Sequence, residues 1–424
     1  MSERRTAAVL VTGSEILLGR TQDRNSGTLA RSLDAHGIRL ERVVAVDDRP
    51  DHLRRAIDGL LADGYDLICT SGGLGPTHDD RTVQVVAEAL GRELVLDDDA
   101  LQVITRIVEG YAAQRGVPVE RLLPGARKQA LVPVGAHVLE PSGTAPGLIV
   151  DAGATAIVVL PGPPTELAEV WARALAHPAL ASLLGAPAER RVVRVWATPE
   201  STVARIWEQL GGDEDGTETS ICATRLEVEV TIRHTDATAA AAERLVDGLV
   251  RELGEAVYAQ DDRSIEQRVV DDLADLGLTI ATAESCTAGL AAARLADVPG
   301  ASAVLLGGVV AYADAVKIAE AGVPAELIAA HGAVSEQVAV ALAEGVRARL
   351  GADVGVGITG IAGPGGATPA KPVGLVHLAA VGPGGALRHL ERRFPGDREA
   401  VRAGSATAAL HLVRLLLDDV RPRS

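Results

Sequence analysis

Leu278 to Leu290 reads LTIATAESCTAGL, and this stretch decides the fold of the C-terminal part of the chain. LTIA is short, apolar and β-prone, so it reads as the end of a buried strand. Leu290, Ala291, Leu295 and Ala296 follow with the spacing of one helix face. Ser285 and Cys286 therefore sit where a strand turns into a helix. A small nucleophile at such a bend is exposed at the carboxyl edge of a sheet, beside free backbone N–H groups that can stabilise an oxyanion. The same residues also serve as a simple helix cap, so the bend alone does not assign chemistry.

The chain has 424 residues, which predicts two or three domains. Its apolar runs are short, so no membrane span is expected. The N-terminus passes from MSERR directly into a strand without an apolar leader. Cys69, Cys222 and Cys286 are far apart and show no metal-ligand spacing, so a cytoplasmic protein with free thiols is expected. The formal net charge of −16 and an aromatic content of 2% argue against a nucleic-acid binder, which needs a basic face and stacking platforms. Arginine carries nearly all the positive charge, and the lysines are Lys128, Lys317 and Lys371 alone. Arginine cannot be deprotonated in a protein, whereas a buried lysine can serve as a base. Each lysine is therefore a candidate for chemistry.

Taken in order, TAAVLVT (6–12), LERVVAVDD (40–48) and the strand within YDLICTSGG alternate with helical segments. That alternation predicts a parallel sheet with helices on both faces, which binds ligands at the strands' carboxyl ends. Gly13, Asp47 and Gly72 fall at such ends. SGGLGPTHDD (71–80) has glycines that let N–H groups approach a phosphate, a helix that follows, and two carboxylates suited to a divalent cation. SGTAPG (142–147) and LPGPPTEL (160–167) bring Gly143, Thr144, Thr165 and Glu166 to the same crevice, with Pro163 and Pro164 opening a helix. RRVVRVWATPE and TRLEVEVTIRH alternate apolar and polar residues as half-exposed strands. In the last part, LLGGVVAY reads as an apolar strand able to bury Lys317. TGIAGPGG (359–366) reads as a glycine-rich strand connection, and GDREAVRAGSATAALHLVRLLLDD as a long amphipathic helix.

These motifs carry a resemblance to the CinA family. GSEILLG, GGLGPTHDD, SGTAPG and LPGPPTEL look like its N-terminal MoaB/MogA-like (molybdopterin-binding-like) domain. AESCTAG, YADAVK, GAVS, AEG, TGIAGPGG and KPVG look like its C-terminal PncC-type nicotinamide-nucleotide amidase domain. The resemblance implies an α/β fold in three parts: a three-layer αβα domain (1–172), a small α+β KH-like linker (173–260) and an αβα amidase domain (261–424). It implies hydrolysis of nicotinamide mononucleotide to nicotinic acid mononucleotide and ammonia. It also implies metal-dependent hydrolysis of ADP-ribose by the N-terminal domain. The family further implies a homodimer and no membrane partner.

Carried over residue by residue, Ser285 attacks, Lys317 is its base, and Tyr312 and Thr359 complete the catalytic set. A serine hydroxyl is a weak nucleophile and needs a base that is itself neutral. Cys286, Thr287 and Gly289, or Gly360, Gly363, Gly365 and Gly366, supply oxyanion donors and substrate contacts. In the N-terminal domain, Gly72, Gly73, Gly75, Thr77, Gly143 and Thr144 hold phosphate. Asp80 and Asp47 hold a magnesium- or cobalt-type divalent ion there, and the amidase site needs no cofactor. Cys286 with Glu284 and Lys317 offers a rival nitrilase-like set. Three positions depart from the family pattern: Glu140 and Asp314 where it has Asn, and Ala288 where it has Gly. A charged Asp314 would oppose Lys317 as a base, which keeps a catalytically weak nucleotide-binding or regulatory protein open as the alternative. A pterin binder at the N-terminal site is a third reading.

Overall fold

The computed structural model describes residues 5–187, 189–224 and 226–421. The chain forms two compact units, Met1–Ala188 and Glu189–Ser424.

In the first unit a six-stranded sheet runs in the order Arg39–Val46, Thr6–Thr12, Leu67–Ser71, Ala156–Leu160, Gly147–Asp151, His137–Leu139. The first four strands are parallel and the last two antiparallel. Two-sided burial explains the apolar runs. Val9 packs with Leu29, Leu33 and Trp171 on one face, while Leu10 packs with Leu53, Ile57 and Val85 on the other. Each fully buried leucine or isoleucine contributes about 1.5–3 kcal/mol. The boundary expected at residue 172 is corrected. The helix Pro164–Ala176 runs through it, and its Val170, Trp171 and Ala174 belong to the first core.

The second unit opens with a small α+β body: Glu189–Trp196, helix Glu200–Gln209, Glu218–Thr224, Glu227–His234, helix Ala239–Leu253 and Val257–Ala259. Its antiparallel strand order, 218–224, 227–234, 189–196, 257–259 (second, third, first and fourth in the chain), is that of the βαββαβ split arrangement. The small α+β middle body expected from the sequence is thus present, with each helix returning the chain to the sheet. The glycine-rich stretch 211–216 is a short turn of 3-10 helix leading into a strand.

The rest of the unit is a three-layer αβα body. Its sheet order is Leu305–Val310, Ile280–Glu284, Val354–Gly360, Leu375–Val381, Leu387–Arg393, the first three parallel and the last two antiparallel. Val356 and Ile358 pack toward Val269, Leu295 and Leu410; Ala281 and Ala283 pack toward Leu342 and Val346. The helix Arg398–Val420 is not amphipathic as read. Fourteen of its residues, from Val401 to Leu417, are buried. Its length and apolarity would suffice to cross a membrane, yet 78% of that window lies inside this fold. The strand Leu305–Val310 is the sheet edge, with Leu306 47% and Val310 51% exposed, so it is only half apolar core.

Candidate functional site

The strand Ile280–Glu284 delivers the chain to a bend held from three sides. Ser285 N donates to Ile358 O at 2.9 Å. Arg402, from the buried helix, donates through Nε to Cys286 O at 3.1 Å and through Nη2 to Thr287 O at 3.0 Å. Glu284, fully buried, turns away and caps the next helix, accepting from Ala291 N at 3.1 Å and Ala292 N at 2.9 Å. Ala288 closes the bend at φ 52°, the left-handed region in which a Cβ costs about 1–2 kcal/mol. Glycine would adopt this conformation without that cost. Ala288→Gly removes that strain but also loosens the unfolded chain, so a net gain of about 0.5–1 kcal/mol is expected in denaturant unfolding. An unchanged or lowered midpoint would contradict the strain argument.

Ser285, Cys286, Tyr312, Lys317, Thr359 and the loop Gly360–Gly366 line one cleft of about 270 Å³. Lys317 is 2% exposed. Its Nζ donates to Tyr312 O at 3.1 Å and to Asp314 Oδ1 at 3.2 Å. Among the described residues Ser285 Oγ has no hydrogen-bond partner, so the serine and the lysine share the cleft without a hydrogen bond between them. Thr359 Oγ1 donates to Ala333 O at 2.7 Å, which ties the loop to the segment before helix Glu336–Leu350. Gly360, Gly363, Gly365 and Gly366 line the cleft. Thr287 and Gly289 do not. Thr287 is fully buried, and Gly289, at φ 89°, shapes the start of the helix Leu290–Ala296.

Cys286 also lines the cleft, but burial pushes its thiol up to about 12. A thiol that far above neutrality supplies almost no thiolate, the reactive form. With Glu284 spent on capping a helix, the Glu-Lys-Cys set is not assembled.

Arg398 was not legible as a site residue. Its Nη2 donates to Tyr312 Oη at 2.6 Å and its Nη1 to Gly363 O at 2.9 Å, placing a guanidinium on the cleft wall. Arg398 and Arg402 are i and i+4 in a helix whose other faces are buried. That polar pair in an apolar helix was the available signal.

The N-terminal unit holds a second cavity of about 350 Å³ at the strands' carboxyl ends. Gly72, Gly73, Gly75 and Thr144 line it. A Cβ on Gly73 would lie 2.2 Å from Thr82 Oγ1, so only glycine lets the loop fold this way. Among the described residues the N–H groups of Gly73, Leu74 and Gly75 donate to no protein acceptor, which leaves them for an anion. Lys128 proves structural. Its Nζ donates to the carbonyls of Thr77, Asp80 (2.6 Å) and Gly75 (3.4 Å), pinning the loop from outside. Gln129, unremarked in the sequence, lines the cavity and donates to Leu74 O at 2.9 Å. Thr77 lies off the cavity lining and donates to Asp80 and Asp79.

Asp47 is corrected as a metal residue. It pairs with Arg49 and with His52 at 2.9 Å and does not line the cavity. The Arg49 hydrogen bond lowers its carboxyl. Its neighbour Asp48 lines the cavity instead. Gly143 stands behind the lining, where a Cβ would lie 2.4 Å from the Glu166 carboxyl. Glu140 is exposed and away from the cavity lining. Among the described residues no three His, Cys, Asp or Glu side chains gather to hold a metal ion. A divalent cation would find Asp80 and would depend on ligand phosphate oxygens and water for its other contacts, as magnesium sites commonly do.

Comparison with known proteins follows the same division. The family described as "CinA C-terminal domain" matches residues 262–417, and that described as "Probable molybdopterin binding domain" matches residues 8–182. A CinA-like protein of Mycobacterium sp. (strain MCS) is 45% identical over 419 residues, covering 97% of this chain and 99% of that protein. A CinA-like protein of Mycolicibacterium vanbaalenii is 44% identical over 418 residues, covering 97% and 98%. Among solved structures, a competence/damage-inducible protein of Agrobacterium tumefaciens is 41% identical. That match covers 36% of this chain and 93% of the other, with a TM-score of 0.35.

Proposed function

The chain belongs to the CinA family, and from that premise we propose that its C-terminal body hydrolyses the carboxamide of nicotinamide mononucleotide, releasing ammonia and nicotinic acid mononucleotide. The observation that carries this reading is the convergence of Ser285, Tyr312, Lys317 and Thr359, from three separate segments, on one cleft beside a glycine-rich loop. Ser285 Oγ attacks the carboxamide carbon and Lys317 takes its proton. A covalent acyl-enzyme forms, the amine leaves with a proton from Lys317 or Tyr312, and water releases the acid. Free N–H groups at the 285–289 bend or in the loop to Gly366 stabilise the oxyanion, each worth roughly 2.7–4 kcal/mol. Arg398 supplies the cleft's cation for the substrate phosphate, since a guanidinium matches phosphate geometry. The test is ammonia release from nicotinamide mononucleotide by the purified protein.

The N-terminal cavity, by the same proposal, takes a nucleotide pyrophosphate such as ADP-ribose. The unpartnered amides of Gly73 to Gly75 hold its phosphates, and Asp80 would hold a divalent cation with them. Such a cation, when bound, neutralises charge on the phosphate oxygens.

A second reading is a binding or regulatory protein of little turnover. The ion pair of Asp314 with Lys317 favours it, because Nζ is held by Asp314 and Tyr312 and not by Ser285. The two readings part at Asp314→Asn. Asp314 is 55% exposed, so the pair is partly screened. If it restrains an active lysine, its loss should raise kcat/KM about fivefold, a change of ~1 kcal/mol. A fall in kcat/KM would show that the pair positions Lys317 instead.

A further inference from the structure

Five carboxylates surround the N-terminal cavity: Glu15, Asp48, Asp79, Asp80 and Glu166. Three have partners. Asp48 Oδ2 accepts from Ser14 N at 3.0 Å and from Ser14 Oγ at 2.8 Å. Asp79 and Asp80 both accept from Thr77. Glu15 lies on the exposed rim. Glu166 is half-buried, as Asp48 and Asp80 are, but among the described residues its carboxyl has no hydrogen-bond partner.

Its placement is built in. Glu166 lies in the first turn of the helix Pro164–Ala176, which two prolines start. The turn before that helix sits directly on the phosphate loop: a Cβ on Gly162 would lie 3.5 Å from Gly72 Cα. From the opposite side Gly143 leaves room for the carboxyl, since any Cβ there would strike it at 2.4–2.5 Å. The carboxyl thus lies beside Gly143 on the wall of the cavity that the Gly72–Gly75 loop also lines.

We propose that Glu166 is the general base of the N-terminal cavity, accepting a proton from the water that attacks a phosphorus of a nucleoside diphosphate ester bound on the Gly72–Gly75 loop. This rests on reading the cavity as a site of pyrophosphate hydrolysis. The water oxygen bonds to phosphorus as the bridging P–O bond breaks, and the leaving phosphate takes the electron pair. Glu166 holds the water proton until solvent removes it.

Burial, with Glu169 of the same helix as the second cause, raises the Glu166 carboxyl above an ordinary glutamate. That brings it nearer the operating range of a base. Glu169 is itself held by Ser142 at 2.8 Å and Arg173 at 3.7 Å. Across the cavity Glu166 faces Glu15, Asp48, Asp79 and Asp80, with no basic side chain in the lining. A base must be ionised to accept a proton, so the rate should rise with pH through an acid limb belonging to Glu166.

The test follows ADP-ribose hydrolysis by the full chain, with a divalent cation supplied, across pH 4 to 9, about the range in which carboxylates and histidine titrate. Wild type is compared with Glu166→Gln and Glu166→Asp, and AMP binding is measured by calorimetry. In Glu166→Gln, kcat should fall roughly 10²–10⁴-fold, the acid limb should vanish, and AMP binding should persist. Glu166→Asp should keep the limb at a reduced rate. A Gln variant with the wild-type rate and limb overturns the proposal. So does one that has lost AMP binding, because the carboxyl is then a binding or structural group. A wild type that binds AMP but never hydrolyses ADP-ribose overturns the underlying reading of the cavity, and this proposal with it.

Discussion

Ser285→Ala should lower nicotinamide mononucleotide deamidation by at least ~10⁴-fold, while Cys286→Ala stays within about threefold of wild type. The two side chains are adjacent and line the same cleft, so their effects are separated by chemistry. Burial holds the Cys286 thiol at about 12, and the carboxylate that would complete a cysteine-based set caps a helix instead. Ser285 Oγ is without a hydrogen-bond partner among the described residues and shares the cleft lining with Lys317. Removing it leaves binding and the oxyanion donors but no group to form the acyl-enzyme. Turnover lost in Cys286→Ala and kept in Ser285→Ala would reverse the assignment.

Lys317→Met should lower kcat by roughly 10²–10⁴-fold, the usual share of a general base, with KM changed much less. Methionine keeps most of the stem's volume in a buried position. It deletes the donor to Tyr312 O and Asp314 Oδ1. Asp314 is exposed and keeps its water when the ammonium goes, so no buried charge is stranded. The thermal midpoint should therefore move by only a few degrees. This separates loss of chemistry from loss of fold. A Lys317→Met protein with wild-type kcat would remove the lysine from the mechanism.

The strands were legible because burial on both sheet faces writes near-continuous apolar runs such as AAVLV and AIVVL. The cleft's loops were legible because bends and phosphate loops need glycine and small nucleophiles at fixed spacing. What depends on contacts distant in sequence was not. Arg398 and Arg402 act on loops more than 30 and more than 100 residues away. Lys128, marked by its rarity, serves as a tether of three carbonyls, which no local pattern reveals. Asp47 and Asp48 are neighbours, and only the end of the strand Arg39–Val46 decides which one faces the cavity. The boundary at 172 was misplaced because the helix it cuts carries no break until His177. Ala288 shows the reverse case. A departure from family pattern, visible as one added methyl, falls on a left-handed residue.

The most direct test of the account is to incubate the wild-type protein with nicotinamide mononucleotide and measure ammonia beside nicotinic acid mononucleotide. The account predicts equal amounts of both, formed catalytically. Saturable binding of nicotinamide mononucleotide with no ammonia released would contradict it and leave a nucleotide-binding protein whose lysine is held by Asp314.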